Sequence, residues 1–143
     1  MKTISLLAIA VIFSTGFVYL NQNNHEEAAV REALQHYLDG HATGDGAHHA
    51  QVFHPESKLF WIRDGELNQR TSEAYIAGAS GSPADNESER RRWISSVDIT
   101  GDVAVGKIIL DYPGVYITDY MSLVKVDGKW QIINKIFFVD RTE

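Results

Sequence analysis

The chain has 143 residues, 44% of them hydrophobic, no cysteine, and a formal net charge of −6. That length supplies one domain with its own core, and the missing cysteines exclude disulfides, zinc–thiolate centres, thiol nucleophiles and a lipid anchor on cysteine. An acidic balance, with no basic stretch beyond Arg90-Arg91-Arg92, argues against nucleic acid as a partner.

Lys2 precedes an uncharged apolar run from Ile4 to Leu20. A short positive start followed by such a run reads as a signal peptide or, if uncleaved, an N-terminal membrane anchor over residues 1–20. The expectation is an exported domain over 25–141, periplasmic or secreted. Residues 25–42 predict the longest helix, because Val30, Ala33, Leu34, Tyr37, Leu38 and His41 form one stripe of a 3.6-residue period. Gly44 ends it, and Asp45 is placed to cap a short second helix through Phe53. His54-Pro55 stops that helix, since the residue before proline avoids the α region. A strand over Lys58–Arg63 closes at Asp64-Gly65. Thr71 or Ser72 caps a third short helix containing Tyr75 and Ile76, and Gly78–Ser88 reads as a mobile loop.

Long strands complete the chain. Glu89–Thr100 meets Val103–Tyr112 through Gly101-Asp102, and a hairpin over 118–138 turns at Asp127-Gly128. With that turn, Val126 faces Lys129, Leu123 faces Ile132 and Met121 faces Asn134. Strict alternation then gives one face to Ile117, Asp119, Met121, Leu123, Trp130, Ile132, Asn134 and Ile136. The predicted fold is α+β: a curved antiparallel or mixed sheet wrapped around the long N-terminal helix, with two shorter helices and a conical pocket between the layers.

Asp119 and Asn134 are the polar pair on that face, suited to a ligand or to each other. Tyr37 sits on the helical stripe with a hydroxyl able to reach them. Trp61 and Tyr112 offer aromatic surface to a planar heterocycle, beside Met121. His54 stands at a helix end, where carbonyls also need donors. All six histidines fall between residues 25 and 54, but their spacing along each helix gives no metal site, and no cofactor is expected.

Four segments carry a family resemblance: Gly44-Asp45 with Phe53-His54-Pro55; FWIRDG over 60–65; Asp111-Tyr112-Pro113-Gly114; and Thr118-Asp119-Tyr120 with Trp130, Ile132, Asn134 and Lys135. Together they resemble the nuclear transport factor 2-like superfamily, the cystatin-like cone, and within it the proteins labelled "putative lumazine-binding". The resemblance implies a small hydrophobic or heterocyclic ligand in the cone, lined by Tyr37, Trp61, Tyr112, Asp119, Met121 and Asn134. It also leaves an isomerase or dehydratase open, with Asp119 or His54 as acid/base and Tyr37 as donor, because the fold hosts many functions. The steroid isomerases of this superfamily have a tyrosine matching Tyr37, yet Trp61 falls where their proton-abstracting aspartate lies and their second acid falls near Met121. A binding role is therefore expected ahead of catalysis, and any catalysis would be metal-free. A third expectation is a homodimer formed through Tyr116, Tyr120 and Phe137.

Overall fold

The computed structural model describes the backbone of residues 6–141 and the side chains of residues 24–141. The segment expected to direct export lies outside the described side chains. Among the described residues no helix is long and apolar enough to cross a membrane. The elements are α1 (Leu6–Thr43), α2 (Gly46–Val52), β1 (Phe53–Arg63), β2 (Glu66–Thr71), α3 (Ser72–Ala77), a 3₁₀ turn (Glu87–Glu89), β3 (Arg91–Thr100), β4 (Val103–Tyr112), β5 (Val115–Val126) and β6 (Lys129–Asp140). The strands form one sheet in the order β2-β1-β6-β5-β4-β3. All neighbours are antiparallel except β1 and β6, the second and third strands, which run parallel. This is the α+β cone that the sequence predicts.

The helical stripe does what its period requires. Val30, Leu34, Tyr37 and Leu38 are buried against Ile108, Leu110, Met121, Leu123 and Ile132 of the sheet. Burying each such side chain stabilises the fold by roughly 1.5–3 kcal/mol. Gly106 on β4 makes the approach close: a Cβ there would stand 2.5 Å from Leu34 Cδ1. Midway along α1, Glu26 accepts hydrogen bonds from Lys125 Nζ at 2.6 Å and Trp130 Nε1 at 3.0 Å. That clamp ties α1 to the turn end of the last hairpin.

The helix starts follow their caps. Asp45 Oδ1 accepts from the Ala47 N–H at 2.8 Å, and Thr71 Oγ1 accepts from the Ala74 N–H at 3.2 Å. The segment 78–88, expected as mobile, is packed onto the end of α1. Gly81 N–H donates to Gly44 O at 2.8 Å, and a Cβ on Gly44 would meet Ser82 O at 2.0 Å.

Two features depart from expectation. The first is β2, whose sequence ELNQRT is exposed at nearly every position. An edge strand without a buried face lacks the alternation that reveals strands. Its partner β1 also begins earlier than expected, at Phe53, with a register irregularity between Phe53 and Lys58 that accommodates Pro55.

The second departure is in the C-terminal hairpin. Asp127 (φ 49°) and Gly128 (φ 79°) form the two-residue turn, and Val126–Lys129 and Leu123–Ile132 pair as expected. Ser122 then pairs with Asn134, so Ile133 is a bulge and every later residue of β6 changes face. Met121 faces Lys135 rather than Asn134. Asn134 and Ile136 are therefore not on the Asp119 face. Lys135 is buried there instead, and Ile136 is 49% exposed. Phe137 likewise turns inward, which removes it from the proposed outer dimer patch. The outer face presents Tyr120, Ile136 and Phe138.

Candidate functional site

Three polar side chains meet beneath the surface, at the edge of a hollow. Asp119 on β5 is fully buried, Tyr37 projects from the sheet-facing stripe of α1, and the bulge delivers Lys135 from β6. Tyr37 OH donates to Asp119 Oδ2 at 2.7 Å, and Lys135 Nζ donates to Tyr37 OH at 2.5 Å. Lys135 Nζ also lies 3.0 Å from Asp119 Oδ1. That contact is a close ion pair at hydrogen-bond distance. Removing two opposite charges from water costs several kcal/mol per ion unless each compensates the other, so the pair is obligatory for both partners.

Burial sets the electrostatics. Desolvation lowers the Lys135 ammonium below the ordinary lysine range, and Asp119 opposes that effect. Desolvation, reinforced by Asp119, pushes the Tyr37 phenol well above its usual value. His49 packs on Tyr37 with ring centroids 5.4 Å apart, and its Nε2 lies 3.2 Å from Tyr37 O. Gly40 makes room for it, since a Cβ there would sit 2.3 Å from His49 Nε2. Burial brings His49 down to about 4. His41 is also held well below its usual value, first by desolvation and then by Lys135. Its Nε2 pairs with Tyr75 OH at 2.9 Å.

Beside this cluster lies a cavity of about 380 Å³ whose lining includes Lys135, His41, Tyr75, Leu59, Trp61 and Phe137. Trp61 and Phe137 stack with centroids 5.3 Å apart and form one wall. Lys135 Nζ stands 4.7 Å from the Phe137 ring centroid and 5.5 Å from that of Tyr75, so the amine is set among rings that line the space. Arg63, Arg70 and Arg141 edge it, and Arg63 and Arg70 each place a guanidinium 5.9 Å from the Trp61 ring centroid. The Trp61 indole N–H is enclosed without a partner.

Of the residues expected to line a pocket, Trp61 does so. Tyr37 and Asp119 stand behind Lys135, Met121 is packed in the core, and Asn134 faces the outer side of the sheet opposite Ser122. Tyr112 lies at the neighbouring end, with its hydroxyl accepting from Arg92 Nε at 3.2 Å and Arg90 over its ring. His54 is not in the cavity wall; its Nδ1 accepts from the Glu56 N–H at 3.2 Å. Lys135 is the residue that sequence reasoning passed over, and the signal was Asp119 itself. A carboxylate on a buried face requires a cation.

Reading the histidines along one helix at a time also missed a cluster. Packing of α2 on α1 brings ligand atoms of His36, Asp39 and His48 within 4.8 Å of one another. Two imidazoles and a carboxylate are a donor set for a divalent transition metal. Asp39 Oδ1 is, however, already engaged by Gln35 Nε2 at 2.8 Å.

Comparison with known proteins places this geometry among relatives. An NTF2-like protein of unknown function from Shewanella baltica OS155 superposes with a TM-score of 0.74 at 25% identity, covering 82% of this chain and 96% of that one. One from Methylobacillus flagellatus KT gives 0.69 at 27% identity, covering 81% and 93%. A Cladobotryum protein named aldolase FrzH is 25% identical over 101 residues, spanning 71% of this chain and 81% of its own length. The family described as "putative lumazine-binding" matches residues 25–138, from within α1 to near the end of β6. The chain belongs to that family, with the NTF2-like, cystatin-like fold.

Proposed function

We propose that this chain binds a small planar compound bearing a carbonyl or acid group in the cavity between β1, β6 and α3. The observation that carries this is the Lys135 ammonium beside a space walled by the stacked Trp61 and Phe137. A volume of about 380 Å³ suits a one- or two-ring molecule, and apolar walls with a few convergent polar groups are the usual make-up of such sites. The rings supply stacking area, Lys135 supplies a positive pole for a carbonyl or carboxylate oxygen, and the edging arginines favour anionic ligands.

A proton-transfer isomerase acting through Asp119 is less well supported. Its carboxylate is occupied by Tyr37 and Lys135 and is set back from the cavity wall. Carbon–carbon bond chemistry on a carbonyl substrate is the second reading. It is favoured by the relative named an aldolase and by the amine that reaches the cavity.

Fluorescence titration with aromatic keto acids, pterins and flavins tests the binding site. Trp61→Ala should weaken a bound compound about tenfold, close to 1.4 kcal/mol, through lost stacking and burial. Trp93→Ala, on the outer surface, should leave affinity unchanged. Equal losses in both variants, or no binding across the panel, would rule the cavity out as the site.

A further inference from the structure

We propose that Lys135 is a covalent amine centre: its Nζ condenses with the carbonyl carbon of a small aryl aldehyde or ketone held against Trp61 and Phe137. This deepens the binding site proposed above and rests on it.

The geometry supplies what such chemistry needs. An amine nucleophile works when it stands in an apolar pocket that lowers the cost of its neutral form, with a neighbour able to hold the proton it gives up. Lys135 is 4% exposed and surrounded by the rings of Tyr37, Tyr75 and Phe137 at 4.9, 5.5 and 4.7 Å. Desolvation acts in the required direction on its protonation. Asp119 Oδ1, 3.0 Å away, is the group placed to take a proton from Nζ. The other protonatable neighbours are held neutral by burial: His41 and Tyr75 in the cavity lining, and Tyr37 behind Lys135. None of them competes for the positive charge.

The step balances without any outside reagent. Asp119 takes one proton from the ammonium, and the free amine adds to the carbonyl carbon to form a carbinolamine. The former carbonyl oxygen then departs as water, carrying that proton and a second one from nitrogen. The third stays on the iminium. One cation thus replaces another opposite Asp119, so the buried carboxylate is never left unpaired, which would cost several kcal/mol. A purely structural ion pair has no need of a lysine that also lines a cavity.

Reductive trapping decides the matter. The full chain is incubated with 2-naphthaldehyde and cyanoborohydride, and the adducts are located by peptide mass mapping. Binding of 2-naphthalenemethanol, the same ring system without the electrophile, is measured in parallel. The expected result is an adduct on Lys135 at least about tenfold more abundant than on the exposed Lys58 and Lys129. Lys135→Arg, which keeps the positive charge, should bind the alcohol and form no adduct at that position. If the alcohol binds to the wild type but labelling is no greater at Lys135 than at the exposed lysines, the amine centre is overturned and the pocket stands. If neither compound binds nor labels above the surface background, both proposals fall together.

Discussion

The two ends of the β5–β6 hairpin behave differently, and the contrast explains the site. Near the turn, Val126 to Leu123 pairs with Lys129 to Ile132 in strict register, and Leu123, Trp130 and Ile132 simply fill the core. Beyond Ile133 the faces are exchanged, and the strand buries a lysine while exposing Ile136 and Phe138. Elsewhere on this strand such a reversal would be a folding error. Here it is tolerated because Asp119 and Tyr37 are waiting for the ammonium. The regular end supplies stability through apolar burial, whereas the irregular end spends some of that stability on a charged constellation beside a hollow.

Breaking the ion pair should therefore be the most damaging change. Asp119→Ala or Lys135→Ala alone leaves one buried charge uncompensated, with an expected loss of about 3–5 kcal/mol in urea unfolding. Asp119→Leu with Lys135→Met together should recover most of that loss, or even exceed wild type by about 1–4 kcal/mol, because apolar packing replaces desolvated ions. A double variant as unstable as the singles would contradict the view that the pair trades stability for its position.

Acid should also act on the packing around Tyr37. His49 is held at about 4 when folded, by desolvation, against 6.5 when unfolded. The unfolded chain thus binds the proton first as pH falls from 6.5 to 4, and folding loses stability across that window, by about 3 kcal/mol in total. Stability is unaffected by this group above pH 6.5. His49→Gln should lessen the slope of that stretch of the pH–stability curve, leaving the part due to His41.

Tyr37→Phe removes a single hydroxyl that donates to Asp119 and accepts from Lys135, with an expected cost of about 1.5–3 kcal/mol. At the regular end, Gly128→Ala forces a Cβ into a left-handed turn position at φ 79° and should cost about 1 kcal/mol. Thermal melts that reversed the order of these two would show that the turn, and not the polar cluster, governs the hairpin.

Much of this was legible in the chain. The stripe from Val30 to Leu38, the Asp45 and Thr71 caps and the Asp127-Gly128 turn each act through local rules, and local rules survive folding. Trp61 drew notice only as aromatic surface, and it stacks on Phe137 beside the cavity. The rest depended on long-range pairing. No local propensity marks Ile133 as the extra residue, because the bulge is stabilised only once Lys135 finds Asp119 and Leu59 lies beside it in β1. The strand Glu66–Thr71 left no trace because both its faces are wet. The cavity itself lies towards the open end of the sheet, among Arg63, Arg70 and Phe137, which a face list built on unbroken alternation could not reach.

That same wet strand has a consequence for how the protein behaves in company. The sheet is open, so its first margin offers unpaired amides and carbonyls to any extended chain that drifts past. β2 occupies this margin as a short segment carrying Glu66 and Arg70, a poor template for fibril growth. Excising residues 66–71 would bare β1 with Phe60 and Ile62, and turn a harmless rim into a sticky one.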